Sequence, residues 1–89
     1  MVAVKKIVLD VLKPHHPSAL EYGRAIAAVG LDYHVTLLVL EVDENTETLQ
    51  IIVEGSAIDF EAVQSAISDL GGSLHSVDEV VVLNEADIK

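Results

Sequence analysis

The chain has 89 residues, 51% of them hydrophobic, with one Phe, two Tyr, no Trp and no Cys, and a net charge of −10 from 15 acidic and five basic side chains. That length suits a single domain over residues 1–89, burying about 60–65% of its unfolded surface, and the lack of Cys excludes a disulfide framework, a thiolate metal centre and a cysteine nucleophile. The negative field opposes nucleic acid and anionic membranes as partners; no apolar run approaches the ~20 residues of a membrane span and no signal-peptide stretch opens the chain, so a cytoplasmic protein is expected.

Val4 to Lys13, VKKIVLDVLK, reads as a strand, with Ile7, Leu9 and Val11 on one side and Val8, Asp10 and Leu12 on the other. Pro14 ends it. Ser18-Ala-Leu-Glu21 is a capping box, opening a helix whose stripe is Ala19, Tyr22, Ile26 and Val29 and which Gly30 is expected to end. Tyr33 to Val42, YHVTLLVLEV, is too continuously apolar for a strand with one wet face. Asp43 to Thr48 is a polar turn, and Leu49 to Glu54 alternates again, so the two runs form a hairpin. After Gly55, Asp59 caps a second helix and Ile58 is placed to staple against Val63. Phe60, Val63, Ile67 and Leu70 form its stripe, Gly71-Gly72 stops it, and Leu74 to Leu83 is a last strand bent near Ser76 to Glu79.

The order is β-α-β-β-α-β, an α+β ferredoxin-like fold with a four-stranded antiparallel sheet and both helices on one face. If Ile7, Leu9, Val11, Leu49, Ile51 and Val53 lie under the helices, Val8, Leu12, Ile52 and either Leu38 with Leu40 or Leu37 with Val39 point away from them. Isolated domains seldom expose so much aliphatic surface, so a homo-oligomer built through the open face or the sheet edges is expected. A monomer whose C-terminal segment covers its own sheet is the alternative. In a further variant the segment from about 80 to 89 is an arm, with Val80 to Leu83 adding as a strand to a neighbour's edge and closing copies into a ring.

His15 and His16 stand in the first strand-to-helix loop, where a metal, or an anion at the following helix N-terminus, can bind. Adjacent imidazoles diverge, so a metal there needs His75, Asp10 or a donor from another subunit; the plain alternative is a proline-stiffened turn. Asp10 is a carboxylate in an aliphatic strand and needs a partner. The fold brings His75, Ser76 and Asp78 beside it, so Asp10, His75, Asp78 and Glu79 form either a hydrogen-bond network or an oxygen-rich site for calcium, magnesium or zinc. The expected metal set is therefore Asp10, His15, His75, Asp78 and Glu79. Asp43 to Glu54 superficially resembles a calcium loop, but Thr48 occupies the position that requires glycine. No nucleophile elbow or phosphate loop is present, and an Asp10–His75 acid-base pair would act without either, so a non-enzyme is expected.

IVLDVLKPHHPS from Ile7, VEGSAIDFEAVQSAISDLGG from Val53 and GGSLHSVDEV from Gly71 together resemble the archaeal family known as domain of unknown function 211. The resemblance spans nearly the whole chain, and its signature elements fall on Leu9 to His15 and Gly71 to Val80. It implies a ferredoxin-like fold and a ring-like cytoplasmic homo-oligomer, in a family without an established biochemical role. The matching signature positions are Asp10, Lys13, Pro14, His15, His75, Ser76, Asp78 and Glu79, whereas His16 and YHVT at Tyr33 depart from the pattern. The expected function is thus a non-catalytic self-assembling domain, with a regulatory module that binds a divalent cation or small metabolite between subunits as the alternative.

Overall fold

A computed structural model describes residues 1–86. Its elements run β1 (Val2–Pro14), α1 (Ala19–Ala27), β2 (His34–Val42), β3 (Thr46–Glu54), α2 (Phe60–Asp69) and β4 (Ser73–Asn84). The sheet is antiparallel throughout, in the order β2-β3-β1-β4, and the fold is ferredoxin-like. The two long central strands pair residue for residue, Ile7 with Val53, Leu9 with Ile51 and Val11 with Leu49. Because side chains alternate across a strand, that register puts all six on one face, where they are fully or nearly fully buried against Tyr22, Ile26, Val63 and Ile67 of the helices.

The caps explain where the helices begin. The Ser18 hydroxyl accepts from the Glu21 amide and the Asp59 carboxylate from the Ala62 amide, each satisfying a donor that has no partner within the helix. The end of α2 is a Schellman closure: the Gly72 amide donates to the Ile67 carbonyl and the Gly71 amide to Ser68, with Gly71 at φ +90°. The end of α1 differs from expectation. Ala28 is its C-cap, two residues before Gly30. Gly30 serves another purpose, since a Cβ there would overlap the Tyr33 ring. That ring packs on the core, and its hydroxyl accepts from the Asp59 amide at 2.7 Å, so the glycine makes room for the side chain that joins the α1–β2 loop to the start of α2.

Two features govern the surface. The helices have 9 and 10 residues, about 14–15 Å at 1.5 Å per residue, whereas β1 has 13 and β4 has 12, about 40 Å at 3.3 Å per residue. The helices therefore cover part of the sheet, and the molecule is drawn out to 53 × 22 × 17 Å. Second, the edge strands are irregular. Leu40 is the extra residue of a bulge in β2, while His75 and Asp78 are extra residues in β4, which accounts for the bend expected around Ser76 to Glu79.

The open face carries less exposed oil than the alternation implied. Leu12 and Leu38 are exposed, but Ile52 is half-buried and Val8 is buried; Val8 lies between Ile52 on β3 and Glu79 on β4, and Glu79 reaches the Lys6 ammonium at 3.2 Å. Leu37 packs on the core from the helix side and Val39 shares its face but extends past the helices. The exposed aliphatic side chains concentrate on the edges, at Leu38 to Leu40 and Val42 of β2 and at Val77, Val80, Val82 and Leu83 of β4. Val80 to Leu83 pair with β1 of their own chain, leaving the outer edge of β4 without a neighbouring strand among the described residues. Residues 87–89 of the expected arm lie outside the described residues.

Candidate functional site

The inward alternation of the central strands does not stop at the last aliphatic residue. Two positions beyond Val11 on β1 is Lys13, and two before Leu49 on β3 is Glu47; the two are register partners. Lys13 is 1% exposed. Its ammonium donates to Glu47 Oε1 at 3.0 Å and to the His15 carbonyl at 3.3 Å, and lies 5.5 Å from the centroid of the Tyr22 ring. The Tyr22 hydroxyl in turn donates to the Leu70 carbonyl at 2.8 Å, at the end of α2.

His15 completes this knot. Its Nδ1 is 3.0 Å from Glu47 Oε2 and its Nε2 is 2.9 Å from the Glu44 carbonyl. Both ring nitrogens thus face acceptors, and only the imidazolium donates from both. The His15 pKa is accordingly raised above 6.5, first by the hydrogen bond to Glu47 and then by the Glu44 carbonyl. Glu47 is held below 4.5 by the bonds from His15 and then Lys13. The group ties the β2–β3 turn to the segment leading into α1. Two of the lysine's three donors are taken by hydrogen bonds, the ammonium lies beside the Tyr22 ring and the side chain is buried, so the arrangement anchors these segments and does not present an amine to a substrate.

A second place lies on the open face. Asp10 stands between Gln50 on β3 and Ser76 on β4, and its Oδ1 is buried with no hydrogen-bond partner. It opens on a cleft of about 310 Å³ lined by Leu12, Glu41, Thr48 and His75. The bulge at Leu40 shifts the register so that Glu41 pairs with Thr48, on the same face as Asp10. The bulged His75 lines the opposite side.

Of the five expected site residues, Asp10 and His75 meet in this cleft. Asp78 instead accepts from the Ser76 hydroxyl at 2.8 Å, and Glu79 pairs with Lys6. His15 belongs to the Lys13–Glu47 knot and does not line the cleft. Among the described residues no group of three or more His, Asp or Glu side chains is arranged to hold a metal ion, and no helix is long and apolar enough to cross a membrane. Glu41 and Glu47 escaped the sequence reading. The period-two rule, continued from Val53, Ile51 and Leu49, reaches Glu47; nothing local announces Glu41, because its facing depends on the bulge.

The model of the DUF211 family, described as uncharacterised ArCR, matches residues 5–86. The chain belongs to this family. It is 38% identical over 81 residues to the uncharacterised protein MJ0319 of the archaeon Methanocaldococcus jannaschii, covering 91% of this chain and 84% of that one. In this DUF211 chain Leu9 to His15 carries Asp10 of the cleft together with Lys13 and His15 of the knot, and Gly71 to Val80 carries the Schellman closure and both β4 bulges. The two signature elements thus coincide with polar or irregular parts of the fold.

Proposed function

We propose that this protein is a non-catalytic, self-assembling domain of the cytoplasm, forming a ring-like homo-oligomer without nucleic acid or membrane partners. The observation that carries this reading is the exposed aliphatic surface on both edge strands, at Leu38 to Leu40 and Val42 and at Val77, Val80, Val82 and Leu83. Covering apolar surface of a few hundred Å², at about 25 cal/mol per Å², contributes on the order of 10 kcal/mol before association costs. A thin core of this size gains from such cover. Sedimentation of the purified chain at micromolar concentration should give a single species of several copies; a lone chain in dilute buffer would sink the proposal.

A second reading has its own support in the unpartnered Asp10 Oδ1 beside Glu41 and His75. A calcium, magnesium or zinc ion there would take further donors from a neighbouring copy, making the assembly a regulatory module. A ligand that binds only the folded state raises the melting temperature. Millimolar calcium, magnesium, zinc and manganese are therefore the test, and the absence of any shift with all four removes the cation.

A further inference from the structure

The assembly proposed above leaves open how one copy meets the next, and the inference drawn here rests on that reading. We infer that the contact is heterologous: the outer edge of β2 in one copy pairs antiparallel with the outer edge of β4 in the next, seating β2 aliphatic side chains against an apolar groove beside α2. Four observations point there.

The first is position. The exposed aliphatics of β2 lie toward Val42, at the end of the sheet near Leu12 to Pro14, while those of β4 run toward Asn84 at the opposite end, beside Val2 to Val8. They occupy diagonally opposed corners on the two unpaired edges. A two-fold contact places a patch against itself, so pairing β2 with β2 leaves β4 wet, and the reverse. One head-to-tail contact covers both.

The second is direction. With every neighbour antiparallel in the order β2-β3-β1-β4, β2 runs along β1 and β4 runs against it. A copy added in the same orientation and shifted along the strands, so that the Val42 end of its β2 lies level with Val80 to Leu83, therefore brings its β2 antiparallel to the first copy's β4, and the sheet continues through amides and carbonyls that the isolated edges leave unpaired.

The third is charge. Each copy carries −10, which opposes contact over most of the surface. Leu37 to Leu40, LLVL, and Val80 to Leu83, VVVL, are runs of four without a charged residue, so repulsion is least where these stretches meet.

The fourth is shape. Val4, Ile7, Phe60, Val77 and Val80 line a groove of about 230 Å³ with a wholly apolar wall, where β4 extends from under α2. The bulge at Leu40 leaves a 58% exposed apolar side chain on the β2 edge, of the chemistry that such a recess takes. The occupant that suits both edges at once is a second copy of this chain, and repetition closes a ring where the rotation permits.

The experiment mixes two variants, Leu40→Asp and Val80→Asp. Both positions are more than half exposed, so the monomer should fold, which circular dichroism checks. Each variant alone should sediment as a monomer, while the equimolar mixture should give a 1:1 heterodimer, because each supplies the intact edge that the other has lost. A homodimer of either variant alone, or a mixture that stays monomeric while the wild type assembles, overturns the inference and leaves the assembly reading standing. A monomeric wild type overturns both. Since the chain has no cysteine, Leu40→Cys and Val80→Cys give an independent readout under oxidation: a disulfide between the two variants supports the pairing, and one formed within either single variant and not between them refutes it.

Discussion

The central strands β1 and β3 and the edge strands β2 and β4 have similar aliphatic content and different fates. In the central pair the alternate residues Ile7, Leu9, Val11, Leu49, Ile51 and Val53 are sealed under the helices. In the edges, residues of the same kind stand half in water: Val39 and Val80 because helices of 9 and 10 residues are too short to shelter them, Leu38 because it lies on the face without helices. Apolar composition therefore does not say which strand builds the core. Position in the sheet does, and what the edges have left over is available to a neighbour.

Truncation breaks this contrast most sharply. Leu9→Ala in the fully buried middle of β1 should cost about 3 kcal/mol by removing packed methyl groups and leaving a cavity, read as a drop in the denaturant midpoint. Val82→Ala, on a half-exposed edge position, should change the stability of the isolated chain by less than about 0.5 kcal/mol while weakening association in sedimentation. Equal effects of the two on folding would mean that β4 belongs to the core in solution.

The charged end of the central pair gives a smaller effect with a distinctive pattern. Lys13→Met keeps the stem beside Tyr22 but removes the ammonium that faces Glu47, and should cost about 2 kcal/mol, since breaking an enclosed ion pair is worse than never having had one. The double variant Lys13→Met with Glu47→Leu should regain most of that loss. Thermal melts of the two variants decide it: a double variant less stable than the single one would show that the pair itself stabilises the fold.

The contrast between centre and edge was partly readable from residue order. Strand and helix order, both N-caps, the glycine stop of α2 and the six inward aliphatic residues all follow from local periodicity and capping chemistry, which act over a few residues. Lys13 and Glu47 obey the same alternation, yet a charged residue in a strand suggests the wet side until the partner strand is seen opposite it. Gly30 looked like a helix stop, but its reason is the Tyr33 ring three residues on. The cleft was half legible: Asp10 with His75 follows from topology, while Glu41 is turned toward them by a bulge whose register shift depends on β3. Asp78 and Glu79, next to each other at the bulge, went to Ser76 and Lys6. Bulges count residues across two strands, and one strand read alone has no such count.

The mildest test concerns pH, and it separates the knot from the rest of the central pair. His15 in the folded chain titrates above its ordinary 6.5, because Glu47 and the Glu44 carbonyl both hold its protonated ring. Its contribution to stability is therefore fully present below pH 6.5 and is lost as pH rises through the folded value. Glu47 has the opposite sign: lowered below 4.5 by His15 and Lys13, it contributes above pH 4.5 and loses that contribution as pH falls through its depressed value. The knot is accordingly strongest from about pH 4.5 to 6.5. Melting temperatures of the wild type and His15→Ala across pH 5 to 9 should differ most at the acid end and converge toward the alkaline end. Taking the difference cancels whatever the side chains common to both proteins contribute. A gap that stays constant over that range would mean that His15 acts by packing alone, and that the ionic link between the β2–β3 turn and the end of β1 resides in Lys13 and Glu47.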